Sequence, residues 1–338
     1  MKILYGVQAT GNGHISRARA MEKYLSQAGA SVDYLFSGRD ASQFFDMQQF
    51  GQYQVKRGLT FATENGKVNY WKSFWQASLS ELKRDIAQLD LTHYDLVITD
   101  FEPISAQAAK RQNKRSIAIG HQYAFLHDIP MQHANLMTQL VFKHFAPAQH
   151  QLGLHWHHFN QPILPPIIDD VPENTNIQSN KVLVYLPFEQ QNSVVEMLKP
   201  LTDYQFCVYG PGLANAQLGH IKTHPQALAP FKADLALCQY VLSNAGFELI
   251  SESIQLQKTI MVKPLQGQME QHSNALALEQ LQLATQTDHL NCSIVSSWLN
   301  QPPKHTTMHY PNVAQAISQW ILNDTPDDIS ALCKQLWQ

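Results

Sequence analysis

The stretch that decides the fold runs from Tyr240 to Ala284 and reads YVLSNAGFELISESIQLQKTIMVKPLQGQMEQHSNALALEQLQLA. A short apolar run, Tyr240–Ser243, meets Asn244-Ala245-Gly246, and from about Phe247 to Gln255 the apolar residues recur at helical spacing. Lys258–Pro264 is a second strand and Glu270–Leu281 a second helix. Strand, glycine turn, helix, strand, helix is the order of a parallel sheet with crossover helices.

Upstream the same alternation holds: strand Lys181–Leu186, helix Ser193–Leu201, then strand Tyr204–Tyr209 ending at Gly210-Pro211-Gly212. The N-terminal half repeats it. Strand Ile3–Val7 meets the turn 9–14 and a helix over Ile15–Ala28, with Ala18, Met21 and Leu25 on one face. Val32–Phe36 is a strand and Trp71–Leu89 a long amphipathic helix carrying Phe74, Leu79, Leu82 and Ile86. Strand Tyr94–Thr99 ends in Asp100-Phe101-Glu102, then come helix Ser105–Gln112 and strand Ser116–Gly120. Between the halves, Gln161–Asn174 carries four prolines and reads as an interdomain linker. The expected fold is α/β, two doubly wound Rossmann-like domains facing each other across a cleft, over 1–163 and 164–322. In such sheets ligands bind beyond the carboxyl ends of the strands, where every glycine turn and Asp100 fall.

Composition narrows the classes. The 338 residues are 44% hydrophobic and 10% aromatic, enough for two cores and too apolar for disorder. A formal net charge of −3 gives no nucleic-acid footprint. No apolar run reaches the roughly 20 residues of a membrane span, and the N-terminus enters a strand without the longer apolar region of a signal peptide. Cys207, Cys238, Cys292 and Cys333 show no clustered spacing, so reduced thiols and a cytoplasmic location are expected.

Three constellations carry chemistry. In Thr10-Gly11-Asn12-Gly13-His14, Gly11 and Gly13 allow close backbone approach and the following helix offers free N–H groups. Ser16 stands where the dinucleotide fingerprint needs its third glycine, which disfavours NAD. His14 is placed for a general base; Arg17 and Arg19 follow, at least one expected to be only a solvated charge. Asp100 arrives at the same sheet edge, where a carboxylate on an imidazole fixes its tautomer; capping the next helix is the plainer reading, and for Glu102 it weighs equally with a phosphate or acceptor contact. In the third, beside Ser243 and Asn244, Gly246 opens a helix whose N–H groups suit a diphosphate without metal. Glu252, two turns on, is placed for ribose hydroxyls, and Glu270, Gln271 and Asn274 are aimed at the same ligand. His155-Trp156-His157-His158 lacks Cys or carboxylate partners at ligand spacing and reads as no metal site. Met131–Phe145 reads as core or interdomain packing.

Tyr240–Ala284 resembles the donor-binding signature of GT-B glycosyltransferases, nearest the MurG and UDP-glucuronosyltransferase-like groups. Gly11–Arg19 resembles the glycine loop and His of that superfamily, and Val97–Gln122 a MurG-like family of predicted glycosyltransferases. The resemblance implies ribose binding by Glu252, donor sugar or phosphate contacts by Glu270 and Gln271, His14 as base and Asp100 as its support. His121, Gly210 and Arg17 join as candidate phosphate or acceptor contacts, the acceptor loops being 61–75 and 121–133. It further implies that a last helix, 323–338, crosses back onto the N-terminal domain. The activity expected is inverting, metal-independent transfer from a nucleoside diphosphate sugar, UDP-linked, to an acceptor such as a glycan or lipid-linked molecule. The nucleotide sugar is substrate, so no cofactor is expected, and membrane contact is at most peripheral. Two departures stand out: Leu186-Pro187-Phe188-Glu189 replaces a glycine-containing phosphate loop, and Gly11–Arg17 also resembles MurG-like nucleotide-sugar hydrolases. A hydrolase or epimerase is therefore the rival reading, and a non-catalytic nucleotide-sugar-binding protein the third.

Overall fold

The computed structural model describes residues 1–59, 62–64, 67–69, 79–132, 136–170, 176–323 and 329–338. Among them, two largely parallel sheets form separate layers. The first orders β1 (Lys2–Gln8), β2 (Ser31–Ser37), β3 (Tyr53–Lys56), β6 (Leu96–Asp100), β7 (Ser116–Gly120) and β8 (His150–Gly153) as β3-β2-β1-β6-β7-β8; β4 (Ala62–Glu64) and β5 (Lys67–Asn69) make a separate hairpin. The second comprises β9 (Gln178–Tyr185), β10 (Gln205–Tyr209), β11 (Ala216–Leu218), β12 (Ile221–His224), β13 (Cys238–Asn244), β14 (Thr259–Lys263) and β15 (Thr285–Gln286). Its order is β11-β12-β10-β9-β13-β14-β15, antiparallel only at β11–β12.

The helices are α1 (Asn12–Gln27), α2 (Leu79–Gln88), α3 (Pro103–Arg111), α4 (Leu136–His144), α5 (Gln191–Leu198), α6 (Leu228–Leu237), α7 (Phe247–Gln255), α8 (Met269–Gln280), α9 (Cys292–Asn300), α10 (Val313–Leu322) and α11 (Ile329–Leu336). Each sheet grows outward from a central strand in one direction and then returns to the other side. The reversals fall between β1 and β6, where Val7 pairs with Asp100, and between β9 and β13, where Tyr185 pairs with Ser243. A crevice opens at such a reversal because successive helices leave on opposite faces. The sheets are thus doubly wound as the alternation implied. β6 and β7 are buried throughout, which is why they read as unbroken apolar runs.

Seven strands were not legible: β3, β4, β5, β8, β11, β12 and β15 are two to four residues long and mostly polar, lying at or next to sheet edges or in the separate hairpin. The expected helix over 71–89 is described only as α2; its first eight residues lie outside the described ones. The four-residue run at 155–158 is not a strand. β8 stops at Gly153, and His155 and Trp156 are fully buried. Nor is 161–170 a free linker: Ile163, Leu164 and Ile167 are core residues, and Leu164 bridges to Leu154.

The chain leaves the first layer along 154–170, enters the second at β9, and returns over 301–312. α9 still packs on the second sheet through Val295, Trp298 and Leu299. α10 lies on α1, with Asn312 Nδ2 donating to the Tyr24 hydroxyl at 2.5 Å and Ile317 and Ile321 fully buried. After α11, Trp337 Nε1 donates to the Ile163 carbonyl at 2.6 Å, tying the tail to the first passage. One apolar cluster runs through both layers, from Ile3 and Ile98 to Phe247, Ile260 and Ile317.

Candidate active site

β1 ends at Gln8, and Gly11 starts α1 with extended backbone and an uncrowded Cα. α1 begins at Asn12, three residues before the expected Ile15, so His14 sits in its first turn and lines the cleft. β6 delivers Asp100 beside it. Phe101 then takes a left-handed φ of 50°, unusual for a bulky side chain, held by ring contacts with Tyr123, Phe142 and Phe145. That turn sends the two neighbouring carboxylates apart.

Asp100 goes beneath His14, fully buried behind the cleft lining. His14 Nδ1 lies 2.6 Å from its Oδ1. Arg17 grips the same carboxylate with both prongs of its fork, Nε on Oδ2 and Nη2 on Oδ1, each at 2.6 Å. Since the carboxylate only accepts, His14 carries its proton on Nδ1, leaving Nε2 as the basic nitrogen. Burial alone would lift the Asp100 carboxyl, but Arg17 and then His14 outweigh it and hold it below the ordinary carboxylate range. Burial likewise opposes the Arg17 charge, and Asp100 and Glu248 more than restore it.

Glu102 goes the other way. Its side chain accepts from the Ile104 and Ser105 N–H groups and from the Ser37 hydroxyl, capping α3 behind Pro103. The capping role weighed for Asp100 belongs to Glu102, which touches no cleft space and is corrected from a candidate contact to a structural one. Burial pushes its pKa up. Neither arginine is solvated: Arg17 is 2% exposed and Arg19 5%, the latter donating to the Phe45 and Asp46 carbonyls.

The second layer contributes the opposite wall. Gly246 caps α7 with nothing within 4 Å of where a Cβ would stand, so its backbone is open to a ligand. Asn244 donates to the Lys263 carbonyl at 3.0 Å, while its buried Oδ1 has no partner and faces the cleft lining. Ser243 is buried and bonds the Asn244 carbonyl, so it shapes the turn without reaching the cleft. Glu270 and Gln271 open α8 and line the cleft; Gln122 Nε2 donates to Glu270 at 3.2 Å, and Gln271 Oε1 accepts from the Leu265 N–H.

Several expected contacts are instead structural. Asn274 is fully buried, donating to the Ala245 carbonyl and facing His121 Nε2 at 2.6 Å. His121 is 1% exposed and stacks on Phe247 at 4.0 Å, so both residues hold the two layers together behind the cleft. Gly210 is covered by Gln191, whose amide stands where a Cβ would point, and leaves no room for a phosphate. Glu252 differs from these: 5% exposed and paired with Lys232 at 2.5 Å, it still borders open space. It lines a side recess of about 100 Å³ with Tyr209, Phe231 and Leu228, which adjoins the cleft through Asn12, Gly13 and Tyr185.

The cleft between the layers measures about 1990 Å³. Sequence reading missed several of its side chains. Arg39 lies over the Phe44 ring, donates to Asn12 Oδ1 at 3.0 Å, and has its pKa drawn down to about 10 by burial. The signal was Gly38-Arg39 directly after β2. Gln122 and Tyr185 were hidden inside apolar surroundings. Glu248 drew no reading of its own. Among the described residues no three His, Cys, Asp or Glu side chains gather to hold a metal, and no helix is long and apolar enough to cross a membrane.

Comparison with known proteins agrees with this architecture. The glycosyltransferase of kitacinnamycin superposes with a TM-score of 0.58 at 14% identity, covering 99% of both chains. VinC, a glycosyltransferase solved with dTDP, gives 0.56 at 12%, covering 99% of this chain and 100% of its own. MurG of Acinetobacter baumannii gives 0.56 at 11% over 99% of both. At such identities the likeness establishes the fold, which is GT-B. No curated protein matches the sequence at a significant level. The profile of glycosyl transferase family 1 matches residues 1–303. With nine-tenths of its length inside that match, and its paired sheets in the GT-B arrangement, the chain belongs to glycosyl transferase family 1 and is a glycosyltransferase.

Proposed function

We propose that the enzyme transfers a sugar from a nucleoside diphosphate, UDP-linked, to a hydroxyl or amine of its acceptor, with inversion and without a divalent ion. The observation that carries this reading is the His14–Asp100 pair, 2.6 Å apart, across the cleft from the open backbone at Gly246. His14 Nε2 removes the acceptor proton as the acceptor oxygen or nitrogen bonds to the anomeric carbon. The carbon–oxygen bond to the diphosphate breaks on the far side, and its electron pair leaves on the phosphate oxygen. Free N–H groups of the first turn of α7 stabilise that charge. Attack opposite to departure inverts the centre.

Asp100 fixes the imidazole, and its own charge is balanced by Arg17. Glu270, Gln271 and Asn244 face the space where the donor sugar sits. The nucleoside end points toward the recess of Tyr209, Phe231 and Glu252. The acceptor, glycan or lipid-linked, enters from the N-terminal side, past Phe101, Phe142 and Phe145. We place the reaction in the cytoplasm, touching the membrane at most peripherally.

The test is a thermal-shift panel of UDP, dTDP, ADP and NAD with and without chelator, followed by transfer assays on His14→Ala. Binding selective for UDP and unaffected by chelator supports the reading, as does a turnover reduced about 10²–10⁴-fold in the variant. Preference for dTDP would reassign the base. Near-normal turnover by the variant would remove His14 from the mechanism, and product of retained anomeric configuration would exclude inversion.

A further inference from the structure

Glu248 is the second residue of α7, in the first turn behind Gly246. Its carboxylate does not point to solvent. It reaches across the cleft to Arg17 Nη1 and rests against the glycine loop so closely that a Cβ at Gly13 would collide with it. Its side chain is 17% exposed and Arg17's 1%. A negative group therefore already sits between two helix starts, α1 and α7, whose unsatisfied N–H groups and dipoles both favour an anion. The guanidinium it holds has its other prongs committed to Asp100.

We infer that Glu248 is a resident stand-in for the donor's diphosphate and sets which anions enter the site. The inference rests on the donor reading above. The carboxylate takes the one Arg17 nitrogen not bound to Asp100 and lies against Gly13, in the space between the starts of α1 and α7. A diphosphate at α7 must expel it, both for space and because like charges at one helix start repel. Once expelled, Glu248 releases Arg17 Nη1 to a phosphate oxygen, a charge-assisted contact at least as strong as the one lost. A tethered competitor of this kind lowers apparent affinity by the fraction of time the site is free. A ligand with no phosphate meets no such competition. Glu248 is thus a specificity-determining residue: weakly charged anions fail to displace it, and a nucleoside diphosphate succeeds.

The experiment is isothermal titration of UDP, dTDP and their nucleosides, uridine and thymidine, into the wild-type chain, Glu248→Gln and Glu248→Ala. Melting curves first establish that each variant is folded. The expected result is that both variants bind the preferred nucleoside diphosphate about tenfold more tightly or better, while its nucleoside binds all three chains equally. Equal or weaker diphosphate binding by the variants, with the wild type binding well, overturns the stand-in role and leaves the donor reading intact. Equal tightening of diphosphate and nucleoside also overturns it, since that would mark a general loosening of the cleft. If no chain binds any diphosphate, the donor reading falls and this inference with it.

Discussion

Arg17 brings a permanent charge into a place almost out of reach of solvent, and two carboxylates make that tolerable: Asp100 and Glu248. Losing one partner of a buried pair costs more than the pair itself contributes, because the other charge is stranded. Asp100→Asn should therefore lower stability at pH 7 by about 3–5 kcal/mol. The pH dependence has a definite sign. Asp100 is depressed in the folded state, so its contribution is complete above the unfolded value of about 3.9 and is lost as pH falls through the folded one. Glu102 and Glu252 are raised by burial, so theirs is present below the unfolded value and fades as pH climbs. Acid denaturation of the wild type should steepen below about pH 4, and Asp100→Asn should flatten that limb, as read by circular dichroism. A limb of unchanged steepness would detach Asp100 from it. Glu102→Ala strips the cap from α3 and removes the shorter of the two Ser37 hydroxyl contacts, leaving Gln8 Oε1 at 3.2 Å, for a loss of about 2–3 kcal/mol at an unchanged denaturant slope.

Among the elements, α1 decides the most. Its start carries the site, its buried face with Ala18, Met21 and Leu25 covers the first sheet, and its far side receives α10. Ile317 in α10 is fully buried in that contact, so Ile317→Ala should cost about 2–5 kcal/mol in urea titrations. A loss near zero would show that α10 docks without contributing. The same elements show what could be read in advance. Turns such as Thr10–His14 and Asn244–Gly246 announce themselves because glycine and a following helical period are local signals. Short polar strands such as β3 and β8 carry no such period and exist only because a neighbour supplies the ladder. The placement of His14, Asp100 and Gly246 was legible since strand ends and topology fix it. The fates of Glu102, Asn274 and His121 were not, because each is settled by a distant partner, 65 residues away for Glu102 with Ser37 and 153 for His121 with Asn274. No pattern distinguishes a polar side chain that faces substrate from one that spans two layers.

At the scale of the whole molecule, the two layers are packed as one body. The layers share an apolar cluster, and buried polar contacts cross between them, including Trp156 Nε1 to Ser251 Oγ at 2.9 Å and His121 to Asn274. Unliganded protein should give a single calorimetric transition, with equal calorimetric and van't Hoff enthalpies. Two resolved peaks would mean that the layers unfold independently. The double passage of the chain, along 154–170 and again at 301–312, has a mechanical consequence. A body joined to another at two separate points keeps little freedom beyond swinging about the line through them. The cleft should then gape at the rim farthest from these crossings, so that a pair of distance probes across that rim records its motion as a single angle.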